Sequence, residues 1–407
     1  MRASRGTWIL AWLLCLACVA CGAVVPSLPG QGGPAWLELK SENFTLWTNS
    51  SPSAARDLLR KLEDQRKVIL RAMNHKGHRE RVLVVALRSE RELRAFVPSQ
   101  FTAVAWPQDN PLLAPGIALA MDTEDSTVVT HELAHAISHS IVQAQPPWLA
   151  EGIASYFEMA VPDPDTHEVQ VGVPNRGLLE LLKKGAPLRV QELFDCRDVA
   201  CRTAEFYATS WALFTYLLNE HFEALSRYFL LLNTLPAIER DQAWPRAFPS
   251  LTAEALDREL SGWIYAGAFR LPRFRVPVQQ VASTERTLTD ADVLSARGLM
   301  YWNAGQMDAS VKDARAAVDV APIPLEAALL ATAHELPLTL ETVQAVVAAN
   351  EQDWRAWWIL IPLLPDDDGL GPRTQAICTL VKLRPSSPMV RAALKDASAR
   401  CLPAAQP

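Results

Sequence analysis

Two successive prolines separate two helical segments and restrict how this chain can fold. The apolar periodicity predicts helices over 126–143 and 147–160, with Pro146 and Pro147 between them. Proline disrupts a helix interior because it lacks the N–H, but it fits the first turn of a new helix. Helices joined by so short a connection pack as antiparallel neighbours. Side chains in the first turn of the second helix are therefore expected to face back towards the first helix.

Two histidines lie on one face of the first helix. His131 and His135 are four residues apart, about one helical turn, so both imidazoles can reach a single ion. An apolar stripe lies about 200° around the axis from them, which turns the histidines towards a cleft. This stripe comprises Val129, Leu133, Ile137 and Ile141. Glu132 lies beside the histidine face, where its carboxylate can accept a proton from water.

Glu151 completes the candidate site from the first turn of the second helix, facing back towards the histidines. Two imidazoles and one carboxylate, with an open fourth position, suit catalytic Zn²⁺. We therefore predict that His131, His135 and Glu151 bind zinc and that Glu132 is the general base. The alternative is a pair of solvent-facing histidines on an amphipathic helix.

The second helix begins Trp-Leu-Ala-Glu-Gly-Ile-Ala-Ser-Tyr-Phe over 148–157, and 131–135 reads His-Glu-Leu-Ala-His. Together these segments resemble the gluzincin metallopeptidases, especially the peptidase MA-like bacterial family with its Trp-Leu-x-Glu-Gly-x-Ala-x-Tyr-Phe motif. The resemblance covers about residues 36–233. It implies a zincin-like α+β fold, Glu151 as third zinc ligand and hydrolysis of a peptide or protein substrate. It also implies that the Tyr207 hydroxyl stabilises the oxyanion.

Other residues near the motifs have competing interpretations. Tyr207 is alternatively a packed aromatic of an amphipathic helix, and His221 and Tyr156 are weaker candidates for its role. His139 continues the spacing of four, but three histidines along one face spread too far for one ion. It is expected to line the cleft or to be exposed. Glu158 is expected to be a solvated carboxylate or one behind the ligands.

The rest of the N-terminal half predicts a small α+β lobe. Period-two or continuous apolar runs predict strands over 36–39, 44–48, 81–87 and 116–121. Amphipathic patterns predict helices over 52–74, 89–96, 177–184, 203–223, 224–233 and 252–268. The strand over 116–121 precedes the histidine helix and is a candidate edge strand for pairing with an extended substrate.

The C-terminal third has a different pattern. Residues 271–289 contain three prolines and predict a linker between a zincin-like domain over 36–270 and an all-α module over 290–402. The module resembles a tetratricopeptide repeat at Leu294, Gly298, Tyr301, Gly305, Ala314, Ala317 and Pro322. A weaker, irregular second match runs from Trp354 to Pro385. Such repeats would offer a surface for a protein partner, and an unrelated helical bundle is the alternative.

The N-terminus predicts export. Basic residues followed by an apolar run over 7–20 are typical of a signal peptide, predicted here over 1–21, and 22–35 is predicted to be a flexible tether. Cys21 lies in a lipobox-like context, so a lipid anchor and simple cleavage both remain open. The expected location is periplasmic, outer-membrane lipoprotein or secreted, in a bacterium. A net charge of −6 without basic runs argues against nucleic acid as a partner.

Four cysteines follow this segment, and an even number in an exported chain favours disulfides. Cys196 and Cys201 would close a small loop, while Cys378 and Cys401 flank consecutive helices; four unpaired thiols are the alternative. These observations together predict an exported zinc-dependent peptidase. The competing prediction is a catalytically silent zincin-like domain in a protein-binding lipoprotein, and hydrolysis of a non-peptide substrate is a third interpretation.

Overall fold

The computed structural model of the chain divides into two compact units. It describes residues 23–75, 81–98, 101–106, 110–123, 127–163, 165–185, 187–277, 280–366, 371–384, 390 and 401. Among these described residues, the first unit comprises 23–24 and those within 37–106 and 115–286. The second comprises 25–36, 110–114 and those from 287 onwards.

The first unit contains a six-stranded mixed sheet, so its class is α+β as predicted. The strands are β1 (Leu37–Lys40), β2 (Phe44–Thr48), β3 (Val82–Leu87), β4 (Ala103–Trp106), β5 (Gly116–Ala120) and, later in the chain, β8 (Thr284–Thr287). Their order is β4-β5-β3-β2-β1-β8. β2, β3 and β5 are parallel, whereas β1 and β4 run antiparallel to β2 and β5. The continuous apolar sequence of β3 suits its central position, where all six residues are buried.

Helix α1 (Pro52–Ala72) makes the crossover between parallel strands β2 and β3. It begins with Pro52 in its first turn, and the Ser51 hydroxyl accepts a hydrogen bond from the Ala54 N–H at 3.3 Å. Its apolar face is buried in the core, as Leu59, Leu62 and Ile69 show. A short helix, α2 (Glu90–Leu93), follows β3.

The remainder of the first unit is mainly helical. Its helices are α3 (Thr127–Ile141), α4 (Pro147–Glu158), α5 (Arg176–Lys184), α6 (Val190–Asp195), α7 (Ala204–Glu220), α8 (Phe222–Thr234), α9 (Ala243–Ala247) and α10 (Ala253–Ala266). A two-stranded antiparallel sheet is formed by β6 (Glu168–Gln170) and β7 (Arg273–Arg275). The break between α3 and α4 falls at the two prolines, as predicted. The sequence patterns did not indicate β4, β6, α6 or α9.

Three predictions about this region need correction. The 116–121 strand is not at the sheet edge: β5 lies between β3 and β4, so the edge beside it is β4. The segment 271–289 is not a simple linker, because it contains β7 and β8. Of the predicted tether 22–35, residues 25–35 pack within the second unit: Pro26 and Leu28 are buried, and the Gly30 N–H donates to Asp290 Oδ1 at 2.8 Å.

The second unit is helical where it is described. Its helices are α11 (Asp290–Asn303), α12 (Met307–Val318), α13 (Leu325–Ala333), α14 (Leu340–Ala349), α15 (Trp354–Leu360) and α16 (Pro372–Leu383). α11 and α12 pack closely: the Ser310 hydroxyl donates to the Gly298 carbonyl at 2.8 Å. A Cβ at Gly298 would lie 2.5 Å from Leu330 Cδ2, so a larger residue would displace this buried leucine side chain. This close packing agrees with the residues that suggested a repeat, whose identity stays a prediction.

Both expected disulfides are present, Cys196–Cys201 in the first unit and Cys378–Cys401 in the second. The predicted signal peptide over 1–21, including Cys21, lies outside the described residues. Among the residues that are described, no helix combines the length and apolar content needed to cross a membrane.

Candidate metal centre

Helix α3 is oriented by its apolar stripe. Val129, Leu133 and Ile137 are at most 6% exposed and belong to the hydrophobic core. His131 and His135 lie on the opposite face and are each 14% exposed in their side chains. The histidine face is therefore turned away from the hydrophobic core, as the sequence predicted.

Helix α4 is held in place by residues of its Trp-Leu-x-Glu-Gly sequence, which contact α6, α7, α8 and α9. Trp148 is buried against three aromatic rings, those of Phe194, Tyr228 and Trp244. At Gly152 a Cβ would lie 2.6 Å from the Ser210 carbonyl oxygen of α7. Only glycine permits this approach, so the residue after Glu151 fixes the distance between the two helices.

The two imidazoles and the Glu151 carboxylate converge on one point. Glu151 Oε2 lies 3.3 Å from His131 Nε2 and 3.2 Å from His135 Nε2. The three donor atoms all lie within 4.8 Å of one another. The residues predicted as ligands are thus brought together by α3 and α4, and the group can hold a metal ion.

The donor set fits zinc in both chemistry and spacing. Two imidazole nitrogens and one carboxylate oxygen are common zinc ligands, with bonds of about 2.0–2.1 Å. Tetrahedral bonds of that length separate neighbouring donors by about 3.3–3.4 Å. Glu151 Oε2 lies 3.3 Å from His131 Nε2 and 3.2 Å from His135 Nε2, which matches this spacing closely.

The second oxygen of Glu151 is held by a cation. Arg202 Nη1 donates to Glu151 Oε1 at 3.0 Å, which leaves Oε2 to face the histidines. Burial raises the pKa of Glu151, but the charge of His135 and the hydrogen bonds from both histidines outweigh it, so the pKa is well below its usual range. Arg202 directly follows the Cys196–Cys201 disulfide and precedes Thr203, whose hydroxyl caps α7. No sequence pattern pointed to Arg202.

His131 is oriented by a second carboxylate. Glu158 Oε2 lies 3.3 Å from His131 Nδ1, and Glu158 Oε1 accepts from Asn175 Nδ2 at 2.8 Å. Burial lowers the pKa of His131, but hydrogen bonds with Glu151 and Glu158 outweigh it, and the pKa is raised to about 10. The surrounding carboxylates therefore stabilise a positive charge at His131. Glu158 lies behind a ligand, one of the two positions expected for it.

Glu132 is held by the edge strand. The Ala105 N–H of β4 donates to Glu132 Oε2 at 2.5 Å. The negative charge of Glu132 also contributes to the raised pKa of His131. The carboxylate is thus fixed between the sheet edge and the histidine face, next to the point where the three donors meet.

Tyr207 lies in the first turn of α7, with its ring centroid 6.3 Å from that of His131. Burial, reinforced by the charge of Glu151, raises the pKa of the Tyr207 phenol to about 12. The hydroxyl is therefore protonated at neutral pH and can donate a hydrogen bond. No other described residue forms a hydrogen bond with this hydroxyl.

The remaining candidates lie outside the donor group. His139 Nδ1 donates to the His135 carbonyl at 2.9 Å, so its ring is engaged with the helix backbone. His221 contacts the Tyr216 hydroxyl at 3.3 Å, near the end of α7. Tyr156 is buried against Phe214. These three residues have packing roles.

Three partners of the site were missed from the sequence: Arg202, Asn175 and the Ala105 backbone. Asn175 is the N-cap of α5 and Arg202 directly precedes Thr203, the N-cap of α7, but neither has a spacing that relates it to the histidines. A backbone N–H has no sequence signature at all. No model of a known protein family matches the chain, and no curated protein is significantly similar to it.

Proposed function

We propose that the chain is an exported zinc-dependent peptidase of the gluzincin type, similar to the peptidase MA-like bacterial family. His131, His135 and Glu151 would hold the zinc ion. When bound there, zinc supplies Lewis-acid polarisation of a carbonyl and makes water more acidic. The substrate class is a peptide or protein, and the fold of the first unit would be zincin-like.

In this proposal Glu132 accepts a proton from the attacking water and later passes it to the leaving amine. The Ala105 N–H keeps the Glu132 carboxylate in place. Tyr207, protonated at neutral pH, donates a hydrogen bond to the oxygen that becomes negatively charged. The edge strand β4, rather than β5, is the strand available for pairing with an extended substrate.

One observation carries the proposal: both imidazole Nε2 atoms lie within 3.3 Å of the same Glu151 oxygen. Two imidazoles directed at one carboxylate oxygen form a three-donor set with the composition of a catalytic zinc site. Glu132, the candidate general base, directly follows His131 and precedes His135 by three residues. The chain therefore contains a candidate for each ligand and for the base.

Export is supported by the two disulfides, because such bonds persist in oxidising compartments. The second unit would be a tetratricopeptide-like module that binds a protein partner. The competing function is a catalytically silent zincin-like domain that serves this module. It differs from the proposed peptidase in predicting no Glu132-dependent cleavage.

The test compares Glu132→Gln with the full-length wild-type chain, both loaded with zinc, on casein and a mixed peptide library. We expect the variant to keep one zinc per chain and to lose activity about 10²–10⁴-fold. Glu180→Gln, on the exposed face of α5, is the matched control and should retain activity. Zinc binding without any Glu132-dependent cleavage would favour the silent binding domain.

A further inference from the structure

A cavity of about 530 Å³ opens beside the metal centre in the first unit. Its lining residues are Ser155, Glu158, Asn175, Leu178, Ala204 and Tyr207. Glu158 also contacts His131 at 3.3 Å, and the Tyr207 ring lies 6.3 Å from the His131 ring. The volume falls within the roughly 300–1,000 Å³ typical of small-ligand sites. A molecule bound at the metal is therefore close enough to extend one substituent into the cavity.

Glu158 is the one carboxylate among the residues that line this cavity. Its two oxygens face His131 and Asn175, and each oxygen has a lone pair left for another donor. Among the residues that the structure describes, no lysine or arginine pairs with Glu158. The cations nearest in sequence to the lining residues are committed elsewhere: Arg176 to Glu180 and Arg202 to Glu151.

Ser155 provides a second, independent observation. It lines the cavity, is 2% exposed, and its hydroxyl has no hydrogen-bond partner among the described residues. Buried hydroxyl groups in folded proteins nearly always have a partner. A polar group that enters the cavity can provide the missing partner.

The other walls suit an aliphatic stem. Leu178 is half-buried and apolar, and Ala204 adds a small methyl group at the start of α7. A long side chain with methylene groups and a charged end can contact these walls and still reach Glu158. An acidic side chain would be repelled by the Glu158 carboxylate, and a purely apolar one would leave both polar groups without a new partner.

We infer that this cavity is a specificity pocket for a lysine or arginine side chain of the substrate. Glu158 pairs with the cationic end, Ser155 accepts a hydrogen bond from it, and Leu178 and Ala204 contact its methylene groups. The inference rests on the proposed function, because it takes the molecule bound at the metal centre to be a peptide.

The experiment measures binding rather than turnover. Amino-acid hydroxamates chelate zinc, and calorimetry gives their affinities for the full-length zinc-loaded chain. The ligands compared are the hydroxamates of lysine, norleucine, glutamate and glycine. We expect the lysine compound to bind roughly tenfold or more tightly than norleucine, since a charge-assisted hydrogen bond is lost in the latter. Glutamate should bind more weakly than norleucine.

Three variants locate the preference. Glu158→Gln should bring the lysine-to-norleucine ratio close to one, whereas Glu180→Gln should leave it unchanged. Ala204 is at an exposed position on the cavity wall. Ala204→Leu should weaken the binding of lysine hydroxamate and norleucine hydroxamate and leave the binding of glycine hydroxamate unchanged.

If the chain binds glycine hydroxamate but binds lysine and norleucine hydroxamates with equal affinity, the specificity pocket is wrong, whereas the metal centre is still supported. A lysine preference that survives Glu158→Gln would also overturn it. Failure of the proposed function gives a different result. A chain that prefers lysine hydroxamate but cleaves no peptide would support the pocket and contradict peptide hydrolysis.

Discussion

Two carboxylates of the first unit, Glu38 and Glu151, are equally buried, with side chains 5% exposed, yet they have different surroundings. Glu38 pairs with Arg286 at 2.6 Å and Lys40 at 3.2 Å, and it accepts from the Trp47 indole at 2.8 Å. These partners are donors at any physiological pH. Glu151 has one such partner, Arg202, on one oxygen, while its other oxygen faces two imidazoles.

The difference lies in what the partners can become. An imidazole can lose its proton and bind a metal, whereas guanidinium, ammonium and indole groups do not. Both carboxyl groups have a lowered pKa, so a shifted pKa and deep burial do not by themselves separate a structural ion pair from a metal centre. The chemistry of the converging partners does.

The largest contrast is expected for metal binding. Glu151→Gln should weaken zinc binding on the order of a hundredfold to a thousandfold, since one of three protein ligands loses its charge. Glu38→Gln, an identical change at an equally buried position, should leave the zinc affinity unchanged. Competition with a coloured chelator measures both constants. Equal losses in the two variants would remove the distinction between the sites.

A smaller effect is expected from Arg202, which orients Glu151 without reaching the metal. Arg202→Ala should weaken zinc binding about 10–100-fold, the usual range for groups behind a ligand. Arg202→Lys keeps the charge but not the planar geometry, so its zinc affinity should lie between those of the wild-type chain and Arg202→Ala. An unchanged affinity in Arg202→Ala would show that the helices alone fix Glu151.

The disulfide next to Arg202 should have a smaller effect on the zinc affinity. Replacing Cys196 and Cys201 by serine frees the chain before Arg202, and we expect roughly a threefold to tenfold loss of zinc affinity. Replacing Cys378 and Cys401, in the second unit, is the matched control and should not alter it. The same loss in both double variants would point to general destabilisation.

The last effect is on folding stability rather than on zinc affinity, and it concerns the structural carboxylate. Burial raises the pKa of Glu38, but its bonds with Arg286 and Trp47 outweigh this, so the net pKa is lowered. A lowered pKa means that the stabilisation is complete above about pH 4.5 and is lost as pH falls through the folded-state value. Glu38→Gln should therefore cost about 1–2 kcal/mol at pH 7. Urea unfolding should show this difference shrinking towards pH 3; a constant difference would contradict it.

Sequence patterns predicted the helix pair and the three donor residues because the information there is local. The prolines break the helix, spacing four aligns the histidines, and the apolar stripe turns them away from the core. The edge strand was assigned wrongly because β4 is only four residues long and half alanine, which has a low β propensity. The partner of β5 was therefore missed.

The groups behind the ligands could not be predicted because they come from distant parts of the chain. Arg202 reaches Glu151 across 51 residues, and the Ala105 N–H reaches Glu132 across 27. No periodicity relates such positions. The same holds for the predicted tether 22–35, whose glycine and proline content gave no sign that Leu28 is buried or that the Gly30 N–H donates to Asp290, 260 residues away.

X-ray absorption at the zinc edge of the zinc-loaded chain tests the central claim most directly. We predict one zinc per chain with two imidazole nitrogens and at least one carboxylate oxygen at about 2.0–2.1 Å. The imidazole contribution should fall by half in His135→Ala. A spectrum without imidazole scattering, or a chain that takes up no zinc while correctly folded, would contradict the account.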